Sequence, residues 1–249
     1  MLFEKYVPGR EKNAAYQAIW NMMDGFDTNR SYADMIRLRL TGDIAAECLD
    51  TYYVAHEDGR CLSRLWMGWG NHPDSIGNWG NFYTDVNARG RGIGGGLLRL
   101  WDEDLKATKN PPLAFFCTAS TVDLLRPYGK FGWRSALKGD NRKPLYLPIG
   151  SSPETFQEFC EMYYKPSPVL YARPATIGYR HEIDCLLKFA FMDMSLRFGI
   201  NGINAEMALL YHPGEAKMLF TADGHCVGWS FKGIDQVHPI YEKAEIITV

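Results

Sequence analysis

The chain has 249 residues, of which 46% are apolar, and a formal charge of −2 at neutral pH. That length and apolar content can supply a core for one large domain or one and a half ordinary ones. The near-balanced charge lacks the basic excess of a phosphate-tracking surface, so nucleic acid is not an expected partner. No window approaches the ~20 apolar residues of a membrane span. The opening MLFEKYVPGREKN has no apolar stretch behind a basic head, so a cytoplasmic protein without membrane attachment is expected. Cysteines 48, 61, 117, 160, 185 and 226 include no CxxC pair, which predicts reduced buried thiols and neither a zinc site nor a disulfide framework.

In chain order, MLFEKYV predicts a first strand, and NAAYQAIWNMMDGF and SYADMIRLRL carry apolar residues at helical spacing. DTYYVAHEDGRCLSRLWMGWG alternates on both sides of Asp58-Gly59, the strongest short-range signal for a hairpin. IGNWGNFYTDV predicts a further strand and leads into RGRGIGGGLL, Arg89 to Leu98, with five glycines in seven positions. Beyond it, Ile93, Leu97, Trp101 and Leu105 recur every fourth residue opposite Arg99, Asp102, Glu103 and Lys106, an amphipathic helix to about Thr108. PPLAFFCTAS predicts a buried strand, TVDLLRPYGKFG a short helix closed by Gly132, and WRSALKG and KPLYLPIG two strands.

A Ser-Ser-Pro helix start after residue 150 marks a separate unit, so domains 1–150 and 151–249 are expected. VLYARPATIGYRHEIDCLLKFAF parallels LFEKYVPGREKNAAYQAIWNM, and KMLFTADGHCVGWSFKG parallels TYYVAHEDGRCLSRLWMGW, both offset by 165 to 168 residues. Two such pairs in one order favour a degenerate half-repeat of the front unit.

Glycine inside a helical start costs about 1 kcal/mol relative to alanine, so the run at Gly94 to Gly96 needs a compensating reason. Gly90, Gly92 and Gly95 have GxGxxG spacing, but LAFFCTAS ends the next strand without the carboxylate a dinucleotide fold requires, and no Lys-Ser/Thr follows as in a P-loop. What remains is a loop whose amides turn toward a diphosphate at a helix N-terminus, where unpaired N–H groups and the helix dipole favour an anion.

Arg89, Gly92 and Gly94 form an Arg-x-x-Gly-x-Gly pattern, and YGKFGW follows some thirty-five residues on. Together these resemble the acetyl-CoA-binding motif and the second signature of the GNAT superfamily of N-acetyltransferases, over about residues 1–150. The resemblance implies an α/β fold on a mixed sheet, acetyl-CoA as cosubstrate without a metal, and transfer to an amine of a small molecule or peptide by a monomer or homodimer. It implies that the backbone of Phe82, Tyr83 and Thr84 bonds the pantetheine arm. The pyrophosphate would then sit on the amides of Gly90, Arg91, Gly92, Ile93, Gly94 and Gly95, with Arg89 bracing the loop and glycine at 92 and 94 leaving room for it. Tyr128 matches the family's general acid, with Pro127 a departure just before it, and Thr121 stands where relatives carry asparagine.

Asn78 and Phe116 stand where relatives keep a glutamate base, and neither takes a proton. Asp85 is the nearest candidate base; Asp74, Glu57 and Asp58 are further carboxylates, the last two on a hairpin turn. Cys117, alone in an apolar strand, is packing. Trp66, Trp69 and Trp79 with His72 either wall an acceptor site or belong to the core, the commoner fate of a single tryptophan. A non-catalytic CoA-binding or interaction module is the alternative.

Overall fold

Asp58 and Gly59 both lie at positive φ, +49° and +75°, the pairing a type I′ turn demands. They join β2 (Cys48–Glu57) to β3 (Arg60–Gly70) as the sequence predicts. The computed structural model describes residues 1–23, 30–137, 143–186 and 202–249. By compactness they form two units, Met1–Trp69 with Asn78–Pro111, and Gly70–Gly77 with Pro112–Val249. The mixed α/β architecture is the expected class, but the division near Pro111 differs from the expected boundary at 150.

In the first unit, β1 (Leu2–Tyr6) pairs antiparallel with β2, and β3 and β4 (Ile76–Thr84) follow in order. Asn13 starts α1 (Ala14–Met23) by accepting the Tyr16 N–H at 3.1 Å, a side-chain cap on an otherwise orphan donor. Ala15, Ala18 and Ile19 of α1 and Ile36 and Leu40 of α2 (Arg30–Thr41) pack with Tyr6, Tyr52, Val54 and Trp66. The part of the first predicted helix at residues 24–26 lies outside the described residues. On α3 (Ile93–Ala107), the fourfold spacing becomes burial of Ile93, Leu97, Leu98, Trp101 and Leu105, each worth about 1.5–3 kcal/mol. Trp79 of β4 meets Trp101 edge-on at 5.8 Å, and Trp66, Trp69 and Trp79 are all buried. Of the two fates open to these tryptophans, they take the core.

In the second unit, β5 (Ala114–Thr118) and β6 (Arg134–Ser135) both pair antiparallel with β7 (Pro144–Pro148). The predicted strand WRSALKG is therefore short, and its last residues lie outside those described. Phe116 and Tyr146 meet Phe159 of α5 (Phe156–Tyr163) at 5.6 Å each. That aromatic packing ties β5 and β7 to α5. α5 starts at a Thr155–Glu158 capping box, five residues past Gly150, and not at Ser-Ser-Pro, because Thr155 supplies the cap that Pro153 cannot.

The five-stranded sheet of this unit has the order β11-β10-β9-β8-β12, with β8 (Val169–Pro174), β9 (Ala216–Phe220), β10 (Cys226–Phe231), β11 (Ile234–Val237) and β12 (Glu245–Thr248). β12 lies parallel to β8, which makes the sheet mixed. The first four strands repeat the order of β4-β3-β2-β1. The pairs Glu4↔Val54, Lys5↔Tyr53 and Tyr6↔Tyr52 correspond to Tyr171↔Phe220, Ala172↔Leu219 and Arg173↔Met218. α6 (Arg180–Cys185) and α7 (Gly202–Tyr211) lie between β8 and β9 as α1 and α2 lie between β1 and β2. Among the described residues no helix is long and apolar enough to cross a membrane.

Candidate functional site

The glycine-rich stretch is a turn between β4 and α3, and its start is fastened by Asp85. Its N–H donates to Leu62 O at 2.8 Å, its Oδ1 accepts the Asn87 N–H at 2.8 Å, and its Oδ2 accepts from Arg60 Nη2 at 2.6 Å. The Arg60 bond first, then the Asn87 N–H, hold the carboxyl below the usual carboxylate range. Both oxygens are engaged and the group is acidified, the reverse of what a proton acceptor near neutral pH needs. That arrangement weighs against the expected role of Asp85 as a base: the residue caps a 3₁₀ turn, Val86–Ala88.

Arg89 then turns back, and its Nε donates to Thr84 O at 3.2 Å. Ser63 Oγ donates to Tyr83 O at 2.8 Å. The carbonyls of Tyr83 and Thr84 are thus each bonded from within the unit. Upstream, Asn81 has φ +53°, a left-handed conformation costly for a residue with a side chain. It stands inside β4, and no sequence signal announced it. Phe82 and Thr84 face α3, while Tyr83 is exposed beside the Arg64 guanidinium.

The glycines divide by what they do. Gly90 and Gly92 have φ +78° and +76°, and a Cβ on either would meet nothing within 4 Å. They are glycine for backbone conformation, with open space over them. A Cβ on Gly94 would come within 3.1 Å of Phe82 Cζ and 3.3 Å of Thr84 Oγ1, and one on Gly96 within 2.6 Å of Phe3. Packing therefore accounts for these two, which departs from the expectation that position 94 is bare for a ligand alone. Gly95 approaches only the Arg99 guanidinium.

Gly92 is the N-cap of α3 and has no side chain to cap it. Gly96 N–H bonds Gly92 O at 3.0 Å, so the amides of Ile93, Gly94 and Gly95 have no partner within the helix. Arg89 and Arg91 are exposed on either side of Gly90. Arg91 also lines a hollow of about 400 Å³ with Glu57, Asp58, Arg60, Asp85 and Asn87. This end can accept an anion through main-chain donors, the helix dipole and two guanidinium groups.

Solved structures similar to this chain include acetyltransferases of the GNAT family. An acyl-CoA N-acyltransferase from Pseudomonas aeruginosa is 14% identical, with 59% of this chain and 99% of that chain covered and a TM-score of 0.43. ElaA of Escherichia coli is 13% identical over 59% and 99%, with a TM-score of 0.43. A GNAT family acetyltransferase from Brucella melitensis, in complex with acetyl-CoA, is 18% identical over 62% and 92%, with a TM-score of 0.40. No family model and no curated protein matches the sequence.

Tyr128 and Thr121 stand in the second unit. The Thr121 carbonyl accepts the Leu124 N–H, which opens a 3₁₀ turn, Val122–Leu124, running into α4 (Leu125–Gly129). Pro127 is third in α4, within the first turn, where a helix N–H has no intrahelical partner to lose. Tyr128 is buried, and burial first, then Cys117, push its phenol pKa up. Burial likewise raises the Cys117 thiol well above its ordinary value, as a packing role requires. His72, expected beside the tryptophans, instead stacks on Tyr179 at 4.2 Å. Among the described residues no group of three or more His, Cys, Asp or Glu could hold a metal ion.

Proposed function

We propose that this chain is an acetyl-CoA-dependent N-acyltransferase that moves the acyl group directly to an amine of a small molecule or peptide. One observation carries the reading: α3 opens on a left-handed glycine without a side-chain cap, directly after two exposed arginines. A diphosphate needs donors, positive charge and room. The Ile93, Gly94 and Gly95 amides are the donors, Arg89, Arg91 and the dipole the charge, and the open space over Gly90 and Gly92 the room.

In this proposal the β4 backbone from Phe82 to Thr84 holds the pantetheine arm, and Thr121 starts the helix that carries Tyr128. The amine arrives as the free base, and its nitrogen attacks the thioester carbonyl carbon as the C–S bond breaks. The departing sulfur takes the phenol proton of Tyr128, and the proton shed by the nitrogen returns to Tyr128 through water. A phenol whose pKa is raised keeps its proton near neutral pH, which leaves it a proton to give while making it a weaker acid. The thioester is intrinsically reactive, so positioning supplies much of the rate. The C-terminal strands, paired in the register of β1 and β2, support reading 151–249 as a half-copy without a glycine loop.

One observation favours a non-catalytic CoA-binding module: Asp85 is engaged on both oxygens, and no base replaces it at Asn78 or Phe116. Release of free thiol from acetyl-CoA across a panel of amines separates the readings. Amine-dependent release supports the enzyme, binding without release supports the module, and no binding removes both.

A further inference from the structure

His72 and Glu182 lie 110 residues apart in sequence and meet inside the second unit, with Nε2 3.4 Å from Oε1. Glu182 is fully buried, and its Oε1 accepts the N–H of Ile76, the first residue of β4, at 2.8 Å. Its Oε2 is buried with no hydrogen-bond partner among the described residues, and so is Nε2 of His72. Nδ1 of His72 lies 3.0 Å from Pro73 O. A carbonyl oxygen only accepts, so Nδ1 carries a proton and donates. Without a further proton, Nε2 would then present a lone pair to a carboxylate oxygen.

We propose that His72 and Glu182 hold one shared proton, and that this protonated pair fastens the turn between β3 and β4 to α6. The turn is seated closely: a Cβ on Gly70 would clash with Gly178 O and with the His72 ring. The His72 ring also stacks on Tyr179. The groups facing Glu182 are Tyr163 on α5, Tyr179 before α6, Arg180 and Cys185 on α6, and Cys226 on β10. Four of the five are neutral near pH 7, and none bonds Oε2. A bare, buried carboxylate oxygen is costly when charged, and burial raises the Glu182 carboxyl above its ordinary pKa. A raised pKa in the folded state means the fastening is complete at low pH and weakens as pH rises through that value. Loss of the proton leaves a buried charge beside a lone pair, and the turn loosens.

The test follows two signals in the native protein: the ¹³C shift of the Glu182 carboxyl, assigned through its backbone, and hydrogen exchange of the Ile76 amide. Above the ordinary glutamate value of about 4.3 the carboxyl is expected to keep a protonated shift before it titrates. Ile76 protection, corrected for intrinsic exchange, is expected to fall at least about tenfold across the pH range in which that carboxyl titrates. Glu182→Gln keeps an acceptor for Ile76 and should hold protection level within about twofold over that range. An ionised carboxyl shift throughout, or protection in the native protein that does not change with pH, overturns the proposal whether or not the variant folds.

Discussion

Arg60 Nη2 donates to Asp85 Oδ2 while the other oxygen of Asp85 receives the Asn87 N–H, so one exposed guanidinium steadies the entrance of the glycine-rich turn. Replacing Arg60 by alanine removes only the ion pair, an exposed contact of the kind that adds little to stability. We expect a thermal midpoint within a few degrees of the native one and acetyl-CoA affinity lowered several-fold. Calorimetric titration with the coenzyme checks this.

The same carboxyl gives a pH dependence with a definite sign. Its pKa in the folded protein is depressed, so its contribution is present above the ordinary carboxylate value of about 3.9 and is lost as pH falls through the depressed value. Asp85→Asn should therefore bind acetyl-CoA more weakly than the native protein near neutral pH, and the gap should close in acid. Titration of both proteins from about pH 7 down to pH 3 measures it; a gap that widens in acid contradicts the assignment.

The glycines predict opposite responses to a single methyl group. Gly92→Ala places a side chain in a left-handed conformation, at a cost of roughly 1–2 kcal/mol. Gly95→Ala lies in a helix with nothing but the Arg99 guanidinium near and should stabilise by up to about 1 kcal/mol. Chemical denaturation of the pair of variants reads both signs.

Tyr128→Phe keeps the buried ring and removes only the proton donor. If the phenol protonates the departing sulfur, thiol release should slow by about 10²-fold or more with acetyl-CoA affinity unchanged. An unchanged rate assigns Tyr128 to the core.

Much of the fold was legible because its signals are local. The Asp58-Gly59 hairpin and the fourfold spacing of Ile93 to Leu105 each arise from neighbours in sequence. What escaped depends on distant partners. Asp85 reads as a free carboxylate until Arg60 arrives from the preceding hairpin, and Gly94 as a position bare for a ligand until Phe82 and Thr84 come close to it. His72 shows nothing of Glu182. Asn81 carries no signal at all, because asparagine tolerates the left-handed region without advertising it. The sequence parallel between the two halves is faint, and the β8–β9 pairing register is a feature that only the folded chain displays.

The central claim is that uncapped main-chain amides at the start of α3 bind the diphosphate of acetyl-CoA. Calorimetric titration of the native protein and of Gly92→Val tests it most directly. The account predicts native binding at micromolar strength or better, about −8 kcal/mol, and a variant that remains folded by circular dichroism yet binds no coenzyme. A native protein that takes up no acetyl-CoA, or a folded Gly92→Val that binds as tightly as the native chain, would contradict it.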